Sequence, residues 1–281
     1  MVNNNTIFSL DTVGYQYPDG VAALTEISLE IKAGDCVAFI GANGCGKSTL
    51  LKLLNALIFP TEGTISAFGR TLTPDALANP EFATMFRRSV GLVFQDPDVQ
   101  LFCSTVEEEV SFGLLQLGFP EDEAAARVEK TIDELRIAHI RHRPPYRLSG
   151  GEKRKVALAS VLCLEPEVLL LDEPTVGLDA RSQGELIDLV WKLRGEGKTI
   201  VTATHDLSII RELAGFVYVI GENHRLMFKG TPQEVLGNQN LLQEANLLHV
   251  HSHQHDGEIH KHFHIHQPPH PETGGREHHE T

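Results

Sequence analysis

The 281-residue chain has only four cysteines, and their placement excludes two classes of protein. Cys36, Cys45, Cys103 and Cys163 form no CxxC pair and no metal spacing, so neither a disulfide scaffold nor a zinc ribbon is expected. Scattered cysteines of this kind read as reduced thiols of a cytosolic protein. Positive charge is scarce as well: 24 Lys and Arg against 38 Asp and Glu leave a net charge of −14. A protein that grips nucleic acid over a wide face needs the opposite balance, so nucleic acid is excluded as the main partner. No apolar run approaches the ~18 residues of a membrane span. Residues 1–10 lack a basic start followed by an apolar stretch, so no signal peptide is expected. Any service at a membrane would run through partners. Internal repeats are absent too.

What is present is enough apolar residue, 41%, for one large domain or two small ones. Period-two alternation in Thr12–Tyr17 and Ile27–Ile31 predicts antiparallel strands with one wet face. Val37–Ile40 is a continuous apolar run of the buried-strand kind, and Ser48–Leu57 reads as the helix after it. Thr64–Phe68 reads as an edge strand. From about residue 97 to 150 the pattern turns helical, with amphipathic stretches at Val106–Val110 and Glu121–Leu135 and a break at Pro144-Pro145. A helix from Gly150 to about Leu164 follows, then strand Val168–Asp172, helix Ala180–Arg194, and strands Thr199–Thr204 and Phe216–Ile220. Thr231-Pro232-Gln233-Glu234 is a capped helix start. Strands alternating with helices imply an α/β fold with a mostly parallel sheet. The domain is expected to span residues 1–245.

Five short motifs carry the chemistry. Gly41, Gly46, Lys47 and Ser48 fit G-x-x-x-x-G-K-[ST], between a buried strand and a helix. Such a loop, here with Asn43, Gly44, Cys45 and Thr49, wraps phosphates with backbone N–H groups. The helix end adds positive potential. Lys47 is expected to reach the β- and γ-phosphates of ATP, and Ser48 to bind Mg²⁺. The Cys45 side chain needs no role, since the backbone does the binding. Asp172 ends an apolar strand at the edge where ligands bind in such sheets; it is expected to hold Mg²⁺. Glu173 points elsewhere and is the candidate base for the attacking water. His205 ends another strand; alone it would read as structural, but its place in the order makes it a γ-phosphate contact. Gln95 follows Val90–Phe94 and is a candidate Mg²⁺ ligand. Leu148-Ser149-Gly150-Gly151-Glu152 offers a hydroxyl, two bare amides and a helix N-terminus. That is a second anion-binding end for one nucleotide, which suggests a head-to-tail dimer in which each protomer covers the other's ATP.

Together these motifs resemble the nucleotide-binding domain of an ATP-binding-cassette (ABC) ATPase over about residues 6–240. The resemblance implies a P-loop NTPase (RecA-like) core, an N-terminal antiparallel β subdomain and a helical signature-motif subdomain. It implies that Tyr17 stacks on adenine, Asp179 links the two sites, and Ser149, Gly150 and Gly151 bind ATP in trans. Phe94–Phe102, Thr105–Val110 and Leu148–Val156 resemble a narrower group, the energy-coupling-factor importers. There the helical insert grips an integral membrane subunit, placing the ATPase peripherally at the cytoplasmic side of the cell membrane. Cys45 stands where the loop more often has Ser.

Beyond Asn246 the composition shifts. Eleven of the 15 histidines lie there, and residues 246–281 are expected to be a disordered His-rich tail. His249, His251, His253 and His255 alternate with other residues, as do His260, His262, His264 and His266. Alternate imidazoles can converge on Ni²⁺, Co²⁺, Cu²⁺ or Zn²⁺. Within the resemblance this agrees with the nickel or cobalt branch. Alternatives stay open: a vitamin importer or an exporter with an incidental tail, a non-transport ABC ATPase, and a metal-storage or metallochaperone protein.

Overall fold

The computed structural model describes residues 5–255 and 258–265, with the backbone alone from 249 onward. Along the chain come β1 (Thr6–Gln16), β2 (Ala22–Lys32), β3 (Cys36–Ile40), α1 (Lys47–Leu54), β4 (Glu62–Ala67) and β5 (Arg70–Thr71). Next are α2 (Pro74–Ala78), α3 (Pro80–Ser89), β6 (Val90–Val93), α4 (Val106–Gln116), α5 (Glu121–Glu134) and α6 (Gly150–Leu162). Then follow β7 (Val168–Asp172), α7 (Ala180–Gly195), β8 (Thr199–Thr204), α8 (Ile210–Leu213), β9 (Phe216–Ile220) and β10 (Leu226–Gly230). Last are α9 (Pro232–Gly237), α10 (Gln239–Glu244), β11 (Leu248–His255) and β12 (Glu258–Ile265).

The main sheet has the order β10-β9-β3-β8-β7-β6. Its first five strands in sequence run parallel, and β10 is antiparallel to β9. β3, β6, β7 and β8 are buried throughout, which is why they read as unbroken apolar runs. The smaller sheet, β2-β1-β4-β5, is antiparallel. The largest core lies between the two sheets. Leu50, Leu51, Leu53 and Leu54 of α1 and Phe82 and Phe86 of α3 fill it from within, against Phe8, Ile27, Ile65, Phe39 and Leu170. Helices α6 and α7 cover the opposite face of the main sheet.

Three expectations are corrected. The Thr64–Phe68 strand is no edge: β4 lies between β1 and the two-residue β5, a strand too short to leave a pattern. The helical insert does not stop at 150, because Val156, Ala159 and Cys163 of α6 share its core with Val106, Val110 and Val128. The domain also continues past residue 245: Leu247 is buried beside Val235 and Leu242.

The segment expected to be disordered contains the antiparallel pair β11–β12. The period of two that spaces its histidines also spaces Val250, Ile259, Phe263 and Ile265, and such alternation suits a strand. His249 pairs with His264, His251 with His262 and His253 with His260 in the register. The side chains of these residues, and all of His266, lie outside the described residues.

Candidate functional site

The phosphate loop joins β3 to α1 at the carboxyl edge of the main sheet. Gly46 has φ of 109° and serves as N-cap of α1 without a side-chain cap. A Cβ at this position would overlap the Ala23 carbonyl, so only glycine fits. The first amides of α1 are thereby left open for an anion. Lys47 is buried; its Nζ donates to the carbonyls of Gly41 (2.8 Å) and Ala42 (3.1 Å) and lies 3.6 Å from Glu173 Oε1. Asn43 and Gly44 are exposed at the loop's crest, while Cys45 is buried. Burial raises the Cys45 thiol pKa, which keeps it a neutral packing group.

Adjacent β7 brings both carboxylates to the loop. Ser48 Oγ donates to Asp172 Oδ1 at 2.9 Å. Burial raises the Asp172 pKa against the Ser48 hydrogen bond, and the Glu173 charge raises it further. Glu173 turns the other way, into the end of β8. Thr204 Oγ1 donates to its Oε2 at 3.0 Å, the His205 amide donates to the same oxygen at 3.3 Å, and His205 Nδ1 is 2.8 Å from Oε1. Burial alone would raise the Glu173 pKa; the His205 hydrogen bond and the Lys47 charge outweigh it and hold it below the usual range. The same hydrogen bond raises the His205 pKa. Glu173 has φ of 44°, a left-handed conformation that costs a non-glycine residue about 1–3 kcal/mol. Its neighbours retain it: the Glu173 amide donates to the Ala203 carbonyl at 2.8 Å.

Lys47, Ser48, Asp172, Glu173 and His205 thus form one cluster drawn from three strand ends. Tyr17 is tied to the first turn of α1, its hydroxyl 2.9 Å from Thr49 Oγ1 and its ring edge-on to Tyr15. Gln95 lies two residues beyond β6, the neighbour of β7, and is exposed. Ser149, Gly150 and Asp179 are also exposed, and Gly151 is half-buried. Ser149 and Glu152 form a reciprocal capping box at the start of α6, and Asp179 caps α7 by accepting from the Ser182 amide at 2.7 Å. Two contacts to this site carried no signal in the sequence. Thr204 reads there only as a strand residue, and His224, from the β9–β10 turn, reaches the Cys45 carbonyl at 3.3 Å through Nδ1.

Ser48, Asp172 and Gln95 offer a hydroxyl, a carboxylate and an amide oxygen, hard donors that suit Mg²⁺. The donors are too few for an all-protein cage, which matches an ion that takes its remaining ligands from phosphate and water. Among residues with described side chains, no group of three or more His, Cys, Asp or Glu is arranged to hold a metal on its own.

A phosphate-type loop at an open helix end, beside two strand-end carboxylates on this fold, defines a nucleotide-hydrolysing cassette. The sequence pattern of the ABC transporter family matches residues 24–176. The nickel import ATP-binding protein NikO of Rhodobacter capsulatus is 46% identical over 244 residues, 86% of this chain and 95% of its own. The energy-coupling factor transporter ATP-binding protein EcfA of Methanocaldococcus jannaschii is 39% identical, covering 83% of this chain and 82% of its own. Among solved structures, cbiO1 from Clostridium perfringens, part of the ABC transporter complex cbiONQ, superposes with a TM-score of 0.72 at 38% identity, over 86% of this chain and 95% of its own. A dimeric ATP-binding cassette bound to ADP and Pi in a post-hydrolysis state superposes with a TM-score of 0.73 at 27% identity, over 80% of this chain and 99% of its own. The chain belongs to the ABC transporter ATP-binding family. It is an ATPase, the ATP-binding subunit of a transporter.

Proposed function

We propose that two copies of this chain close around ATP at the inner face of a membrane importer whose cargo is Ni²⁺ or Co²⁺. The reading is carried by the cluster of Lys47, Ser48, Asp172, Glu173 and His205 at the mouth of an open helix end. Backbone amides from Gly41 to Thr49 receive the phosphates, and Tyr17 receives the adenine. Lys47 leaves the Gly41 and Ala42 carbonyls for the β- and γ-phosphates. Ser48, Asp172 and Gln95 would hold Mg²⁺, which when bound would offset charge on the phosphate oxygens. Glu173 takes a proton from the attacking water as that oxygen bonds to the γ-phosphorus and the bond to ADP breaks. His205 orients the γ-phosphate. Ser149, Gly150 and Gly151 meet the partner's ATP, with Asp179 linking the two sites.

Contact with a membrane subunit is supported by an apolar patch on the helical insert. Phe102 and Phe112 stack edge-on at 4.9 Å and are both exposed, with Leu115 one helical turn further along. Among the described residues no helix is long and apolar enough to cross a membrane, so a membrane path requires such partners. The cargo reading rests on the histidine alternation, the cross-strand register that pairs three histidines of β11 with three of β12, and the likeness to a nickel import protein. Opposed residues of an antiparallel pair lie about 5 Å apart at their Cα atoms.

Cellular Ni, Co and Zn in a deletion strain, complemented with wild type or Glu173→Gln, test the reading by mass spectrometry. One metal restored by wild type alone is the expected result. No change in any of the three would overturn the metal cargo and favour vitamin uptake.

A further inference from the structure

Helix α6 begins at the 149–151 end, and one turn further on it carries Arg154. This guanidinium is half-buried, yet among the described residues it pairs with no carboxylate. It divides its donors between two backbone carbonyls far apart in sequence: Nη1 donates to Glu173 O at 3.0 Å, and Nη2 to Gln95 O at 2.9 Å. Glu173 is the residue held at φ of 44°, and Gln95 is the exposed residue beyond β6.

The bond is part of a longer seam. Lys153 pairs with Asp98 at 2.6 Å. Gln100 Nε2 donates to the Ala157 carbonyl (2.8 Å) and to Ser160 Oγ (3.1 Å), while its Oε1 accepts from the Phe94 amide at 3.2 Å. Residues 153, 154, 157 and 160 lie on one face of α6 by helical spacing. That face fastens the whole 94–100 segment to the helix. Arg154 alone in the seam also holds the strand end that bears Glu173. A planar fork can span two carbonyls in this way, whereas an ammonium is a single point of charge.

We propose that Arg154 is a positioning residue that couples the two ATP sites of the dimer. A shift of α6 when its N-terminus engages the partner's ATP is passed through Arg154 to the backbone of Glu173 and Gln95 in its own site. The inference rests on the reading that 149–151 act in trans.

The test uses the full-length chain as wild type, Arg154→Gln, Arg154→Lys and Glu173→Gln. Analytical ultracentrifugation of Glu173→Gln with Mg-ATP examines the underlying reading first, and an ATP-dependent dimer is expected. Steady-state ATPase is then measured against ATP concentration, with ATP affinity of the dilute monomer and Tm measured alongside. Displacement of catalytic groups by about 1 Å can cost about 10²-fold in rate. Arg154→Gln should therefore lower kcat about 10- to 100-fold with monomer affinity and Tm nearly unchanged. The Hill coefficient should fall from about 2, the limit for two sites, toward 1. Arg154→Lys, keeping one of the two bonds, should fall between. A dimer in Glu173→Gln with wild-type kcat and Hill coefficient in Arg154→Gln would overturn the coupling role alone. So would a wild-type Hill coefficient of 1, or parallel losses of affinity and Tm in Arg154→Gln. A Glu173→Gln chain that stays monomeric in Mg-ATP would overturn both the trans reading and the coupling.

Discussion

The Glu173 side chain meets Thr204, His205 and Lys47, where Asp172 meets only Ser48 among the described residues, and these partners give a defined pH response. The His205–Glu173 contact lowers one pKa and raises the other. For Glu173, depressed in the fold, the stabilisation is complete above the unfolded value of 4.5 and is lost as pH falls through the folded pKa. For His205, raised in the fold, it is complete below 6.5 and is lost as pH rises through the folded pKa. The Tm gap between wild type and His205→Ala should therefore be widest between those two values and shrink on either side. Thermal melts across the pH range would show this, and a gap that keeps growing into alkaline pH would contradict it. Asp172 behaves in the opposite sense. Burial raises its pKa, so its ionised form is disfavoured in the fold, and a bound cation would relieve that cost.

At the scale of elements, α1 ties the phosphate loop to the core. Its eight residues include four leucines, all buried between the two sheets. An isolated helix this short is marginal in water, so tertiary packing maintains it. Leu51 is fully buried. Leu51→Ala should cost roughly 2–5 kcal/mol, from lost transfer energy and the cavity left behind. Urea denaturation of the two proteins measures this directly; a difference under about 1 kcal/mol, well below that range, would mean that the core collapses around the gap. Helix ends elsewhere were legible in principle. Thr73-Pro74 and Asn79-Pro80 each place a cap before a proline, and both side chains accept from the helix N-terminus. The sequence reading leaves α2 and α3 unassigned: α2 buries no residue and so carries no apolar stripe, whereas α3 does carry one, in Phe82, Ala83 and Phe86.

For the whole molecule, the folded unit and the His-rich segment join at Leu247–Leu248. Leu247 is buried in the core formed by α8, α9 and α10, and Leu248 packs against it. A truncation that tests the segment should thus end after Leu248; a cut at 245 would remove core residues. Such a chain should keep its ATPase rate and Tm while its binding of Ni²⁺ or Co²⁺ falls, as isothermal titration calorimetry with each metal salt would show. Equal metal binding by the full and shortened chains would separate the histidines from any metal role.

Much of the site was readable because its pieces are local. A loop expected to bind phosphate through its own backbone needs only the right residues in the right spacing. Gly41 to Thr49 supply both within nine consecutive positions. Asp172 and His205 were readable as strand ends, since a parallel sheet delivers strand carboxyl ends to one edge. The partners were beyond the reach of pattern. Glu173 meets Thr204 and His205 only because β7 and β8 are neighbours, and Lys47 joins them only because β3 flanks β8 on the other side. Arg154 meets Gln95 and Glu173, 59 and 19 residues away, because α6 packs across the strands that carry them. Motif identity follows from local spacing, which the chain carries in one dimension. Contacts between distant residues follow from strand order and helix packing, which are settled only when the apolar faces are buried together.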